Sequence, residues 1–129
     1  MSVLTAQQAA AIGARGNVLV AAGAGTGKTS TVTERCLELV LREHCSIEEI
    51  LLVTFTEAAA TEMRERIRQR LRAAADQATP GSDDARWLAE QLALLERAPL
   101  STLHSFCLEL VRRNFPVLGL DPQFTVLDE

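Results

Sequence analysis

The architecture this sequence predicts is an α/β fold built on a parallel sheet. Short apolar, β-branched runs alternate with longer segments of helical periodicity, and a glycine-rich loop stands where the first run hands over to the first long helix. Strands that alternate with helices imply right-handed crossovers between parallel neighbours. The composition of the 129 residues, 47% hydrophobic and 23% charged, is that of one globular domain with a modest core. A mean hydropathy near zero excludes a wholly disordered chain.

Taken in order, Thr5 to Gly13 is rich in Ala and Gln, with Gly13 as a helix stop. Asn17-Val18-Leu19-Val20-Ala21 is the first strand run, and a helical pattern follows from Lys28 to about Glu43 with Val32, Cys36, Leu39 and Val40 on one face. Ser46 with Glu49 three residues on marks a capping box and a short turn. Ile50-Leu51-Leu52-Val53-Thr54-Phe55 reads as a buried strand. A long helix from about Glu57 to Ala75 carries the stripe Met63, Ile67, Leu71 and Ala74. Thr79-Pro80-Gly81-Ser82-Asp83 breaks it. Asp83 or Asp84 then caps a helix bearing Trp87, Leu88, Leu92 and Leu95, which ends before Pro99. Leu100 to Leu103 is a third strand and Ser105 to Arg113 a further helix, and the tail from Asp121 to Leu127 is extended at best.

No apolar run approaches the roughly 20 residues a membrane helix needs, and the N-terminus lacks the basic start and apolar stretch of a signal peptide. The expectation is a cytoplasmic protein with no membrane partner. Cys36, Cys45 and Cys107 form no CxxC pair and no metal-ligand spacing, so they read as buried or half-buried free thiols on helices. The net charge of −4 counts mildly against a nucleic-acid binder held by bulk electrostatics, although single strands are also gripped by stacking in a locally positive groove.

The loop Ala21-Ala22-Gly23-Ala24-Gly25-Thr26-Gly27-Lys28-Thr29, followed by Ser30, fits G-x-x-x-x-G-K-[ST] except that Ala22 replaces the first glycine. Glycines let successive N–H groups face an anion, and the new helix adds its N-terminal partial charge. In such a loop, Lys28 reaches the β- and γ-phosphates and the Thr29 hydroxyl ligates Mg²⁺. ATP and Mg²⁺ are therefore the expected cofactors, bound by residues 22–30, with Lys28 and Thr29 in the catalytic roles.

Three more segments resemble one family. Leu4-Thr5-Ala6-Gln7-Gln8-Ala9-Ala10-Ala11-Ile12 looks like the Q motif of superfamily 1 DNA helicases of the UvrD/Rep kind, with Gln8 at the adenine-reading position. A side-chain amide carries the donor and acceptor that adenine's N6 and N7 edge requires. Thr54-Phe55-Thr56-Glu57-Ala58-Ala59-Ala60-Thr61-Glu62-Met63-Arg64-Glu65-Arg66-Ile67 is similar to motif Ia, which implies single-stranded DNA contacts at Phe55 and Thr56. UvrD and Rep usually carry Asn-Lys after the Phe-Thr. Glu57-Ala58 leans instead toward the exonuclease-associated AddA/RecB branch, where the motor works with a nuclease domain or a partner subunit. Ser101-Thr102-Leu103-His104-Ser105-Phe106-Cys107 resembles the next DNA-contacting motif, T-x-H-x-F, with Thr102 and His104 alternating along a strand end so that both face one way. Taken singly, these segments have plainer readings: surface glutamines, a core Phe55, a structural His104.

The resemblance runs from Leu4 to Leu127 and implies a RecA-like P-loop NTPase with a three-layer parallel sheet. On this reading the 129 residues are an incomplete fragment of motor domain 1A that acts with a second motor domain. The implied activity is ATP-dependent translocation on single-stranded DNA, in the 3′→5′ direction, in DNA repair or recombination. A small-molecule P-loop NTPase or kinase, and a non-catalytic nucleotide- or DNA-binding module, are the alternatives. The terminal Asp128-Glu129 mimics the family's acidic motif, yet Asp121-Pro122-Gln123-Phe124-Thr125-Val126-Leu127-Asp128 resembles the x-P-x-F-x-x-L-D stretch that opens an inserted subdomain. The true acidic strand is therefore expected further along. Arg64, Arg68 and Arg72, at i, i+4 and i+8, form a stripe that either tracks a phosphate backbone or is a solvated helix face.

Overall fold

Helix ends in this protein are set by side chains that satisfy the backbone's first N–H groups. The computed structural model describes residues 4–23, 25–121 and 123–125. Thr5 caps α1 (Ala6–Gly13), Thr56 caps α3 (Glu57–Gln77), Ser82 caps α4 (Asp83–Leu94) and Thr102 caps α5 (Leu103–Arg113). Each hydroxyl accepts the N–H three residues on. The cap of α4 is thus Ser82, not Asp83 or Asp84, which occupy the first turn where their charge favours the helix dipole. Helix α2 (Lys28–Arg42) starts from Gly27. Ser46 and Glu49 form the expected capping box on a single 3₁₀ turn, Ile47–Glu49. The structure adds a short helix, α6 (Phe115–Leu118), that the apolar pattern does not announce; its signals are Pro116 in the first turn and Gly119 at φ 65° just past the end.

The core is organised by α3. Ala60, Met63, Ile67 and Leu71 are buried along one face, packed with Cys36, Leu37 and Val40 of α2, Leu88 of α4, and Leu95. Strands β1 (Leu52–Thr54) and β2 (Leu100–Thr102) pair in parallel, with Leu52 opposite Leu100 and Thr54 opposite Thr102. They add Leu52 and Leu100 to the same core. Gln91, fully buried, accepts the Ile47 N–H at 2.8 Å and so anchors the 3₁₀ turn to α4.

Among the described residues β1 and β2 are the only strands. The run from Asn17 to Ala21 makes no ladder pairing, and Val18, Leu19 and Val20 are exposed. A strand exists only by virtue of a neighbour's N–H and C=O groups, which an apolar run cannot supply to itself. The face of α2 follows suit: Val32 is exposed and Leu39 half-buried, flanking a cleft of about 300 Å³ beside Val18 and Val20, while Leu37 turns into the core. Leu51 and Val53 are also exposed, so β1 is buried on one side only.

Most of the α3 arginines serve the fold. Arg64 donates to the carbonyls of Leu95 at 2.6 Å and Leu100 at 2.7 Å, tying the helix to the approach of β2. Arg68 pairs with Glu65 and Glu96, Arg66 with Glu62, and Arg70 with Glu34. Hydrogen bonds from Arg68 and then Gln69 hold the Glu65 carboxyl below its ordinary range. The thiols differ from one another. Cys36 is buried and pushed up to about 12 by desolvation and then by Cys45, Cys45 lies in a loop, and Cys107 is exposed on α5. Among the described residues no helix is long and apolar enough to cross a membrane.

Replacing Arg64 with Ala removes two charge-assisted hydrogen bonds from carbonyls that no other side chain satisfies in the same way. Urea unfolding is expected to show a loss of about 1.5–3 kcal/mol. A change under about 0.5 kcal/mol, the range of ordinary surface substitutions, would mean the fork is incidental.

Candidate functional site

The glycine loop is positioned from two sides. On one side, Gln8 completes a capping box with Thr5: its Oε1 accepts the Thr5 N–H at 2.9 Å while Thr5 Oγ1 accepts the Gln8 N–H at 3.2 Å. Its Nε2 donates to the Thr26 carbonyl at 3.3 Å, so the amide joins α1 to the loop. One amide hydrogen and one oxygen lone pair stay available. On the other side, Arg35 of α2 donates to the Ile12 carbonyl at the end of α1 at 2.6 Å, and Arg15 pairs with Glu43. These contacts fix α1 on α2, since Ile12 is its one buried residue.

Within the loop, Gly25 (φ 73°) and Gly27 (φ 81°) take left-handed conformations, and a Cβ on Gly27 would lie 3.0 Å from Gln8 Nε2. Thr26 Oγ1 donates to the Gly23 carbonyl at 2.7 Å. Lys28 Nζ donates to the Ala22 and Gly23 carbonyls at 2.8 and 2.9 Å, folding the ammonium over the loop. Thr29 and Ser30 lie in the first turn of α2, whose leading N–H groups lack intrahelical partners. Ala24 lies outside the described residues, as do Val126 to Glu129 and with them the Asp128-Glu129 pair. A cavity of about 830 Å³ opens between α1, residues 18–23 and Lys28, within the usual size of a cofactor pocket. A cation, a helix N-terminus and a loop turned through left-handed conformations at Gly25 and Gly27 form a donor set suited to a phosphate-bearing anion.

A second group of residues gathers where β1 and β2 end. Thr54 Oγ1 donates to the Thr56 carbonyl at 3.0 Å, and Thr56 Oγ1 accepts the Ala59 N–H at 3.2 Å. Between these two clamped threonines the Phe55 ring is turned outward, 87% exposed. The strands are parallel and in register, so the β2 exit lies at the same edge. There α5 begins at Leu103, two residues earlier than expected, because the Thr102 hydroxyl caps it. Thr102 is consequently 5% exposed, while His104 is exposed on the first helical turn. The two do not alternate along a strand and do not face the same way.

A family model described as the UvrD/REP helicase N-terminal domain matches residues 4–129. The chain belongs to that family. Curated relatives named as subunits of an ATP-dependent helicase/nuclease are similar to it throughout. The relative from Alkaliphilus oremlandii is 46% identical over 125 residues, or 96% of this chain. Those from Thermoanaerobacter sp. and Desulforamulus reducens are 51% and 52% identical over 128 residues, or 97% of the chain. The chain spans about a tenth of the length of these relatives, 10% in each case.

Within this UvrD/REP domain, Gln8 and the glycine loop come together, and Phe55 and His104 share one edge of the sheet. Thr102 stands behind that edge as a cap. Sequence reasoning missed Arg35 and Glu57. Arg35 carries no motif and acts on a carbonyl 23 residues away. Glu57 bonds to Thr102 and Ser105, 45 and 48 residues away. Only the spacing of Thr102 and Ser105, a cap and its third residue, gives a local signal.

Gly27→Ala is expected to strain the loop by about 1–2 kcal/mol, since an L-residue resists the left-handed region, and to push Gln8 off Thr26. Hydrogen exchange of residues 21–30 and 5–13 should both accelerate. Unchanged protection in both segments would show that Gln8 and Gly27 are not mechanically linked.

Proposed function

We propose that the intact protein is an ATP-dependent DNA helicase that translocates 3′→5′ on single-stranded DNA as the motor of a cytoplasmic helicase–nuclease in DNA repair or recombination. On this reading the present residues are the N-terminal part of motor domain 1A, RecA-like and three-layered when the sheet is completed. They act with a second motor domain and with a nuclease, carried on the same chain or on a partner. The observation that carries the reading is the Gln8 Nε2 bond to the Thr26 carbonyl. It joins an adenine-reading amide to a phosphate loop across 18 residues of sequence, the arrangement a purine nucleoside triphosphate requires. Relatives named for an ATP-dependent helicase/nuclease support the same conclusion.

Each residue then has a role. The Lys28 ammonium, held on the Ala22 and Gly23 carbonyls, exchanges those neutral acceptors for phosphate oxygens, to which charge-assisted bonds are about twice as strong. Gly25, Thr26 and Gly27 offer backbone N–H groups, and the α2 N-terminus adds partial positive charge. Thr29 supplies a hydroxyl ligand for Mg²⁺, and Ser30 continues that turn. Gln8, with Gln7 beside it on the cavity wall, discriminates the base. Bound Mg²⁺–ATP supplies the phosphoanhydride whose hydrolysis powers movement. Phe55 offers its exposed ring to a base. Thr56 and the first turn of α3 orient N–H groups toward the strand, His104 bonds or stacks from α5, and Thr102 holds His104 in place.

Lys28→Ala in the full-length protein is expected to lower ATP turnover by about a hundredfold or more, the usual effect of deleting one charge-stabilising donor. Turnover equal to wild type would end the phosphate-loop assignment. For the strand-end site, Phe55→Ala should weaken binding of an oligo-dT strand by about 1–3 kcal/mol. The slope of affinity against salt should hardly move, because no phosphate contact is lost. Intact affinity for the strand would remove Phe55 from the DNA surface.

A further inference from the structure

The Glu57 side chain leaves its own helix. From the first turn of α3 its Oε1 reaches the start of α5 and accepts from the hydroxyls of Thr102 and Ser105, each at 3.0 Å. Those two hydroxyls lie 2.9 Å apart, and Thr102 Oγ1 also accepts the Ser105 N–H at 3.1 Å. The carboxylate therefore closes a network between the turn that follows β1 and the turn that follows β2. The β ladder itself ends at Thr54 and Thr102. Beyond it, two backbones about 4.8 Å apart enter separate helices, and no further strand bond holds one turn against the other. Phe55 sits two residues before Glu57, and His104 lies between Thr102 and Ser105.

We propose that Glu57 is a positioning residue that, by bridging the starts of α3 and α5, sets the separation of Phe55 and His104 for a single strand. This rests on the reading of that edge as the DNA surface. The carboxylate is not itself a DNA contact: a negative charge repels phosphate, and here it lies at the N-termini of two helices, turned to two hydroxyls. The quantity it contributes is the acceptor geometry at Oε1, which a neutral glutamine retains and an alanine removes. An unbridged pair of turns samples several separations, so a strand must select the productive one and its apparent affinity falls by that fraction.

The test uses the full-length protein, with DNA-stimulated ATP hydrolysis as readout and oligo-dT as the single strand. For Glu57→Ala, the oligo-dT concentration at half-maximal stimulation is expected to rise about tenfold, the effect of a productive separation that is populated about a tenth of the time once the bridge is gone. Turnover at saturating strand should change by less than about twofold, because binding rather than chemistry is affected. Glu57→Gln should stay within about twofold of wild type. On a Phe55→Ala/His104→Ala background, Glu57→Ala should add almost nothing, since a residue acting through two others loses its effect with them. Equal losses in the Ala and Gln variants would assign the effect to charge and overturn the proposal. A full tenfold effect on the double-variant background would overturn it too. If Phe55→Ala/His104→Ala raises the half-saturating concentration and Glu57→Ala does not, the positioning role fails and the DNA edge stands. If the Phe55/His104 pair has no effect either, the edge itself is wrong and the proposal falls with it.

Discussion

Burial of one stripe on α3 is the constraint from which the remaining geometry follows. Met63, Ile67 and Leu71 recur every four residues and disappear between α2 and α4. Each such side chain stabilises by about 1.5–3 kcal/mol on leaving water, more than any surface ion pair contributes. With that face committed, α3 lies across the core as part of the crossover from β1 to β2, and the strands it connects meet side by side and parallel. The Arg64 fork to Leu95 and Leu100 then sets where β2 starts relative to α3. A shift of α3 by one turn would break that fork and the Thr54–Thr102 register together.

Both candidate sites lie at the ends of these elements rather than along them. Parallel strands in register finish at the same level, so the residues that follow them are neighbours whatever their separation in sequence. Phe55 and His104 become companions in this way. The glycine loop is arranged on a different principle. It depends on left-handed conformations at Gly25 and Gly27 and on an amide from α1, with Arg35 and Arg15 holding α1 against α2. Both places hold an exposed charged group on neutral partners: a lysine lying over carbonyls, and a carboxylate between hydroxyls.

The same logic accounts for where the fold is open. Val18, Leu19 and Val20 have the composition of a central strand without a ladder partner among the described residues, and Val32, Leu51 and Val53 present apolar surface of their own. An apolar run of this kind favours pairing, yet pairing needs donors and acceptors from elsewhere. The arginine stripe on α3 illustrates the opposite case. In the sequence its charges read either as a track for a phosphate backbone or as a solvated helix face, whereas packing turns Arg64 and Arg68 to carbonyl and carboxylate partners.

Local chemistry is what the sequence determined by itself. The Ser46–Glu49 capping box, glycines in a phosphate-loop pattern, an i, i+4 apolar stripe and the T-x-H-x-F spacing are all short-range. Each was legible because its physical cause lies within one or two helical turns. The family followed from those segments in order. What only the tertiary structure decided involves partners tens of residues apart: Gln8 on Thr26, Arg35 on Ile12, Arg64 on Leu95 and Leu100, and Glu57 on Thr102 and Ser105. It also placed Thr102 behind the edge rather than on it, because capping α5 satisfies a backbone N–H that a strand-end reading leaves unpaired. Hydrogen-bond direction and burial are properties of the packed chain. No periodicity encodes them, since the same threonine caps a helix or faces solvent according to what packs beside it.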